Sequence, residues 1–414
     1  MANTPPLHDA VVMRDSEKVR ALLAEGADAN APAAEDDPRT ALHLAAETGA
    51  SAEAIALLEA GANPNAQNEL GYTPLHLAAR DDRTDLIKLL IAHGAGVDVA
   101  DTRGGTPLLQ AVIGAHRAAV DVLVELGANV DAVDNEGATA LHYLCRNARR
   151  WDTTMTRSVL VDGVQHQVEP GSSRYEQHLA IAKTLLERGA DPEIVSEYHY
   201  YPQHEAAGED AVEFIEALAH AGASFNRPNA TGYTPLHLAC RKGHLAVVRF
   251  YLDRGADRDV TDEFGATPLH EACDVGNMAV AKLLVESGAA VAVGLTKPQE
   301  EWGYDLGLTP AQLAEKKGHA AIAEWLASNA AAQEPATNPE PLPPTEPMPV
   351  LAPPPQPEPV PPAEPASPEP PPAAAPKPEA PAKAVAKKKA AKKVAKKVAK
   401  KVAKKKVAKK KVAK

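Results

Sequence analysis

Apolar residues along most of the chain recur at helical spacing. The stretch "DLIKLLIAHGA" from Asp85 places Leu86, Leu89 and Leu90 at positions i, i+3 and i+4, which predicts one buried face of an α-helix. Ahead of it, "TPLHLAA" from Thr73 sets an N-capping threonine and a proline at the first helical position before a short apolar run. The pattern therefore predicts a short helix followed by a second helix.

This two-helix pattern repeats along the chain. "GYTPLHLAAR" at Gly71 returns as "GYTPLHLACR" at Gly232, and the first capping threonines lie 33 residues apart. One longer gap hides a further unit, in which Tyr201 takes the threonine position, and it leaves 29 inserted residues. With a first unit at Pro5, nine units are predicted, which begin near residues 5, 40, 73, 106, 139, 201, 234, 267 and 309.

The period and the motif T-P-L-H-x-A resemble the ankyrin repeat family over roughly residues 5–330. The resemblance implies an all-α repeat solenoid of helix pairs, with β-hairpin fingers between them. Glycines such as Gly94 and Gly255 stand where a helix end needs positive φ. The insertion, at about 148–177, contains "SVLVDGVQHQV", which predicts a hairpin because Asp-Gly favours a type I′ turn.

Charge and composition divide the chain into three parts. Residues 1–333, the predicted solenoid, hold 48 acidic and 26 basic residues, a net charge of −22. Residues 334–382 contain 22 prolines in 49 positions and predict a disordered, extended linker. Residues 383–414 contain 17 lysines and no acid, and they predict a disordered basic tail. The tail resembles the Lys/Ala/Pro-rich tails of linker histones and bacterial histone-like proteins.

Signatures of catalysis are missing from the sequence. It contains no P-loop, H-E-x-x-H, G-x-S-x-G or C-x-x-C motif, so we predict no enzyme, no metal site and no cofactor. The ankyrin resemblance implies that histidines at one repeat position tie neighbouring units together. Three cysteines replace a small residue of the first helix and are expected to be free, buried thiols: Cys145, Cys240 and Cys273.

The family resemblance also implies a protein-binding face, formed by the fingers and the exposed side of the first helices. Carried over to this chain, it gives the candidate residues Tyr72, Arg80, Arg146, Arg149, Arg150, Trp151, Tyr198, Tyr200, Tyr233, Arg241, Lys242 and Phe264, with Asp81, Ile113, Asn147, Asp274, Lys316 and Lys317 at equivalent positions. Two interpretations stand for the aromatic residues. They anchor a protein partner in one patch over units four to seven, or they pack the fingers and pin the insertion.

The tail suits phosphate neutralisation, which predicts salt-dependent, sequence-independent DNA binding. The lysines assigned to it are Lys387, Lys388, Lys389, Lys392, Lys393, Lys396, Lys397, Lys400, Lys401, Lys404, Lys405, Lys406, Lys409, Lys410 and Lys411. An anionic surface, an acidic protein, or a role in solubility or degradation are the alternatives. A membrane-facing helix is disfavoured because the tail valines drift around the helix axis.

The sequence therefore predicts a monomeric adaptor that joins an unknown protein to DNA. A scaffold for one protein partner with an incidental tail, and a chromatin-type compacting protein, are the other interpretations. No stretch approaches the ~18 apolar residues of a membrane span. We expect a cytoplasmic protein, with the nucleoid as one site of action, or a nuclear one in a eukaryote.

Overall fold

Short helices follow one another in pairs along the chain. The computed structural model describes residues 5–34, 37–148, 160–161, 164–165, 174–197, 199–298 and 305–330. Within these residues eighteen helices form nine consecutive pairs, which confirms the all-α repeat solenoid. The predicted linker and tail lie outside the described residues.

The first helices of the pairs share seven or eight residues in length and a proline or alanine at the first position. They are α1 (Pro6–Val12), α3 (Ala41–Thr48), α5 (Pro74–Arg80), α7 (Pro107–Gly114), α9 (Ala140–Arg146), α11 (Pro202–Gly208), α13 (Pro235–Lys242), α15 (Pro268–Asp274) and α17 (Pro310–Lys316). The second helices are α2 (Ser16–Ala24), α4 (Ser51–Glu59), α6 (Thr84–Ala92), α8 (Arg117–Glu125), α10 (Arg174–Glu187), α12 (Val212–His220), α14 (Leu245–Asp253), α16 (Met278–Glu286) and α18 (Ala320–Ala330).

Seven of the nine first helices, all except α1 and α7, begin at a reciprocal cap. The backbone N–H of Thr73 donates to Nδ1 of His76 over 3.1 Å, and the threonine hydroxyl lies 2.9 Å from the same nitrogen. The same cap recurs at Thr234 with His237. Because Nδ1 accepts the backbone N–H, the ring proton resides on Nε2, and the ring is neutral.

The free Nε2–H of each motif histidine donates to the finger of the next unit. His43 reaches the carbonyl of Tyr72 over 3.0 Å, and His237 reaches that of Ala266 over the same distance. The family-based expectation that these histidines tie units together is thus confirmed. Equivalent bonds start at His76, His142, His204 and His270.

The fingers are short antiparallel hairpins. The first contains β1 (Pro32–Ala34) paired with β2 (Asp37–Thr40), and the others are closed by bonds such as Asn68 N–H to the carbonyl of Tyr72, 3.0 Å. Neighbouring fingers are also joined, as by the N–H of Thr102 donating to Leu70 over 3.0 Å. Gly71 makes this approach possible: its φ is +78°, and a Cβ there would lie 2.7 Å from the nitrogen of Thr102.

The interior between the helix layers consists almost entirely of alanine, leucine and valine, with Phe214 and Tyr251 as its largest buried rings. Small side chains let successive helices approach closely, which a chain with 4% aromatic residues requires. Cys145, Cys240 and Cys273 are free and buried, as predicted.

The solenoid continues across the insertion. His142 donates to Tyr200 over 3.0 Å, and the N–H of Glu197 donates to the carbonyl of Glu136 over 2.7 Å. Residues 174–177 of the predicted insertion form the first turn of α10, where Tyr175 meets Phe214 edge-to-face. Farther into the insertion, β3 (Leu160–Val161) pairs antiparallel with β4 (Val164–Gln165), which confirms the predicted hairpin.

We predict that replacing residues 149–173 with a short Gly/Ser linker leaves the melting temperature within a few degrees of that of the full chain. The units on either side are held by bonds that cross the insertion, so the linker only has to join α9 to α10. Circular dichroism melts of both proteins test this. A loss comparable to that of a core Leu→Ala substitution would show that the inserted residues contribute to the core.

Stability should also depend on the motif histidines. Burial lowers the pKa of His204, His237 and His270 to about 4 from an ordinary 6.5. Between these values the unfolded chain binds protons that the folded chain does not, so the free energy of unfolding falls as pH drops from about 6.5 to 4. Each such histidine contributes up to about 1.4 kcal/mol per pH unit.

Urea unfolding at several pH values in this window provides the measurement. Unit nine shows which substitution to make. Gln312 stands there in the histidine position and accepts the N–H of Thr309 over 3.0 Å, and glutamine does not titrate. His237→Gln should lower stability at neutral pH and make its pH dependence shallower. An unchanged slope would contradict the assignment of a proton-free His237.

Candidate partner-binding surface

One face of the solenoid is lined by residues at two repeat positions, four and seven residues after the capping position. The fourth position carries Asp9, Leu44, Leu77, Gln110, Tyr143, Glu205, Leu238, Glu271 and Leu313 in successive units. Members of this series line two depressions, together with finger residues. The variation at this position gives each part of the surface its own chemistry.

The C-terminal groove is one of these depressions, with a volume of about 420 Å³, and it spans units six to eight. It brings together five of the residues predicted from the sequence: Tyr200, Tyr233, Arg241, Lys242 and Phe264. Leu238 and Glu271 complete its floor. The groove therefore contains the described aromatic residues of the predicted patch, Tyr200, Tyr233 and Phe264.

The tyrosines of the surface stack on the motif histidines. The rings of Tyr233 and His237 lie 4.9 Å apart at 28°, and those of Tyr200 and His204 lie 5.3 Å apart at 7°. Tyr72 stacks on His76 in the same way. Finger packing is thus one role of these rings, and an alanine at either position would remove a contact to the buried histidine. Each ring also keeps a partly exposed face toward the groove.

A buried ion pair closes the floor of the C-terminal groove. Nη1 of Arg241 lies 3.3 Å from Oε2 of Glu271, whose side chain is only 4% exposed. Burial raises the pKa of Glu271 to about 7, although the neighbouring guanidinium opposes the rise. Arg146 and Glu205 repeat this arrangement at 2.8 Å, and the hydrogen bond that Arg146 donates to Glu205 raises the pKa of Arg146.

Comparison with known families gives independent support for the repeats. Two ankyrin repeat families match: "Ankyrin repeats (3 copies)" at residues 7–101, 83–155 and 247–338, and "Ankyrin repeats (many copies)" at residues 218–272. The chain belongs to the ankyrin repeat family. Ankyrin repeats are protein–protein interaction scaffolds and are typically non-enzymatic, so the solenoid serves to bind proteins. No curated protein matches the chain.

The remaining described candidates lie outside the C-terminal groove. Tyr72 and Arg80 line a second depression, the N-terminal groove, which has a volume of about 780 Å³ and spans units one to three. Arg146 lies between the two grooves and is engaged by Glu205. Arg149, Arg150, Trp151 and Tyr198, and the fifteen tail lysines, lie outside the described residues.

Sequence reasoning missed the acidic partners of the groove arginines. Glu205 and Glu271 stand at a repeat position that holds leucine in four of the nine units, so "PQHEAAG" and "PLHEACD" carried the signal. A buried carboxylate at that position needs a cation from a neighbouring unit. The arginine at the seventh position of the preceding unit provides this cation, Arg146 for Glu205 and Arg241 for Glu271.

No helix within the described residues is long and apolar enough to cross a membrane. A search of the same residues finds no His/Cys/Asp/Glu group arranged to hold a metal ion.

We predict that Arg241→Met lowers the free energy of unfolding by about 2 kcal/mol at pH 8. The substitution leaves the Glu271 carboxylate buried without its cation. The loss is smaller than the roughly 3–5 kcal/mol of a fully buried pair because the Arg241 side chain is 34% exposed. It should shrink at about pH 6, where Glu271, with its pKa about 7, takes up a proton. Urea unfolding at both pH values measures it.

The double variant Arg241→Met with Glu271→Leu is the matched control, since leucine stands at this position in other units. It should recover most of the stability and lose the difference between the two pH values. A single variant as stable as the parent at pH 8 would show that the Glu271 carboxylate does not need the cation of Arg241.

Proposed function

We propose that this ankyrin repeat protein is an adaptor, in which the C-terminal groove binds a protein partner and the lysine-rich tail binds DNA without sequence preference. The groove is the observation that carries the proposal. It concentrates Tyr200, Tyr233 and Phe264 in a chain with few aromatic residues, beside the guanidinium of Arg241. Tyrosine and arginine are common anchors of protein interfaces.

The exposed charges around the groove would orient a bound partner. Lys242 and Glu263 are exposed, and neither makes an ion pair within the described part of the chain. Arg241 is held by Glu271, so a partner meets a preformed floor rather than a mobile guanidinium. A partner that places an apolar side chain on Leu238 and opposite charges beside Lys242 and Glu263 fits this arrangement.

Composition supports DNA as the target of the tail. Residues 383–414 carry 17 lysines and no acid, while residues 1–333 carry a net charge of −22. The solenoid therefore repels a phosphate backbone and the tail attracts it. The intervening 49 residues, rich in proline, would reach up to ~150 Å if extended, so both ends can act at once.

Capture on DNA-coated beads tests both halves of the proposal. The full chain is bound to beads that carry a random-sequence duplex, incubated with lysate of the source organism, and eluted with increasing salt. We expect steeply salt-dependent retention of the chain and co-retention of one partner. A full-length variant in which the fifteen tail lysines assigned to DNA binding are changed to glutamine should not be retained.

The groove variant Lys242→Glu with Phe264→Ala should stay on the beads but retain at least about tenfold less partner. Lys88→Glu with Leu245→Ala makes matched changes on the second helices and should behave as the parent. Equal partner capture by the groove variant would place the protein site elsewhere. Retention of the glutamine variant would remove the tail as the DNA anchor, and a parent chain that the beads do not retain would leave a single-partner scaffold.

A further inference from the structure

The N-terminal groove has a different lining from the C-terminal groove. Leu44 and Leu77 form its floor, between helices α1, α3 and α5 and the first two fingers. Val12 and Leu70 stand at its rim and are 50% and 55% exposed, among the most exposed large apolar side chains of the described residues. The groove thus presents apolar surface that no described part of the chain covers.

The two arginines of this groove are neutralised within it. Nη2 of Arg39 lies 2.7 Å from Asp37, and Arg80 lies 2.9 Å from Asp81. Glu47 sits between them, 3.5 Å from Arg39 and 3.2 Å from Arg80. Three carboxylates therefore form ion pairs with the two guanidiniums, so neither arginine is left to bind an anionic ligand.

Two further carboxylates of the lining have no counter-charge. Asp9 on α1 and Glu69 in the second finger are exposed, and within the described residues neither forms an ion pair or a side-chain hydrogen bond. Asp9 belongs to unit one, and Glu69 lies in the finger between units two and three. The apolar floor is formed by Leu44 of unit two and Leu77 of unit three. The net charge of the groove is negative, and its unsatisfied groups call for cations.

We propose that the N-terminal groove is a second peptide-binding site, which takes an extended protein segment with a branched apolar side chain flanked by lysine or arginine. The apolar side chain packs on Leu44 and Leu77, and the flanking cations meet Asp9 and Glu69. This site goes beyond the adaptor function, because it needs neither the C-terminal groove nor the tail.

Charge selects this occupant over others. Phosphate-bearing ligands would meet two unpaired carboxylates, and an acidic peptide would meet the same repulsion. A purely cationic ligand would leave Val12 and Leu70 in water. Only a segment that is both cationic and apolar satisfies both features of the lining.

Fluorescence anisotropy with the full chain tests the site. The probe is a short labelled peptide of repeated Lys-Leu-Ala units, compared with Lys-Ser-Ala and Glu-Leu-Ala peptides of equal length. We expect the Lys-Leu-Ala peptide to bind most tightly. Asp9→Asn with Glu69→Gln should weaken it by about threefold to tenfold at low salt, as expected for two rim ion pairs, and less at high salt.

Glu25→Gln with Glu59→Gln is the matched control: it removes the same charge from exposed positions at the C-terminal ends of the second helices α2 and α4 and should bind as the parent does. Leu70→Ser should weaken the Lys-Leu-Ala peptide but not the Lys-Ser-Ala peptide. Equal affinity for the two lysine peptides, or for the parent and the Asp9/Glu69 variant, would overturn the proposal. So would a dimer in sedimentation velocity that the Asp9/Glu69 variant breaks, because a second copy would then fill the groove.

Discussion

The bond from each motif histidine to the carbonyl of the next finger is the constraint on which the rest of the structure depends. Nδ1 accepts the capping N–H of its own unit, so the imidazole is neutral and its single proton on Nε2 donates to that carbonyl. One ring therefore begins a helix and fixes the following unit. Where the ring is missing, as at Leu109 in unit four, the capping hydroxyl of Thr106 still accepts from the helix, but the link to the next finger is gone.

The same histidines position the candidate binding surface. Tyr72, Tyr200 and Tyr233 lie flat against them, so their exposed faces have an orientation set by the core. A rigid aromatic surface loses little entropy on binding, which favours recognition. Stability and recognition are thus carried by the same rings, and a substitution at a finger tyrosine affects both. Residues such as Lys242 and Phe264, which do not stack on a histidine, separate the two roles better.

The architecture could be predicted well from the sequence because the same motif and the same period recur in many units. Even the unit without its threonine was located, since His204 keeps the register and donates to Tyr233 as expected. The contacts of the surface were less predictable. The register placed Arg241 on the binding face, but its pairing with Glu271 depends on the offset between neighbouring helices, which spacing along one chain does not define. The start of α10 was missed for a similar reason: Tyr175 is drawn into the helix by its contact with Phe214 of the next unit.

A solenoid of this kind can hold two sites of unlike chemistry because each unit contacts only its neighbours. The N-terminal groove uses units one to three and the C-terminal groove units six to eight, with Gln110 and Tyr143 on the floor between them. Tyr143 is itself bound to Asp134 over 2.6 Å, which makes the intervening floor polar and internally satisfied. Substitutions in one groove therefore share no partner with the other, and their effects should add. Variation at the fourth and seventh positions of each unit can then change one binding chemistry while the histidine bonds keep the fold unchanged.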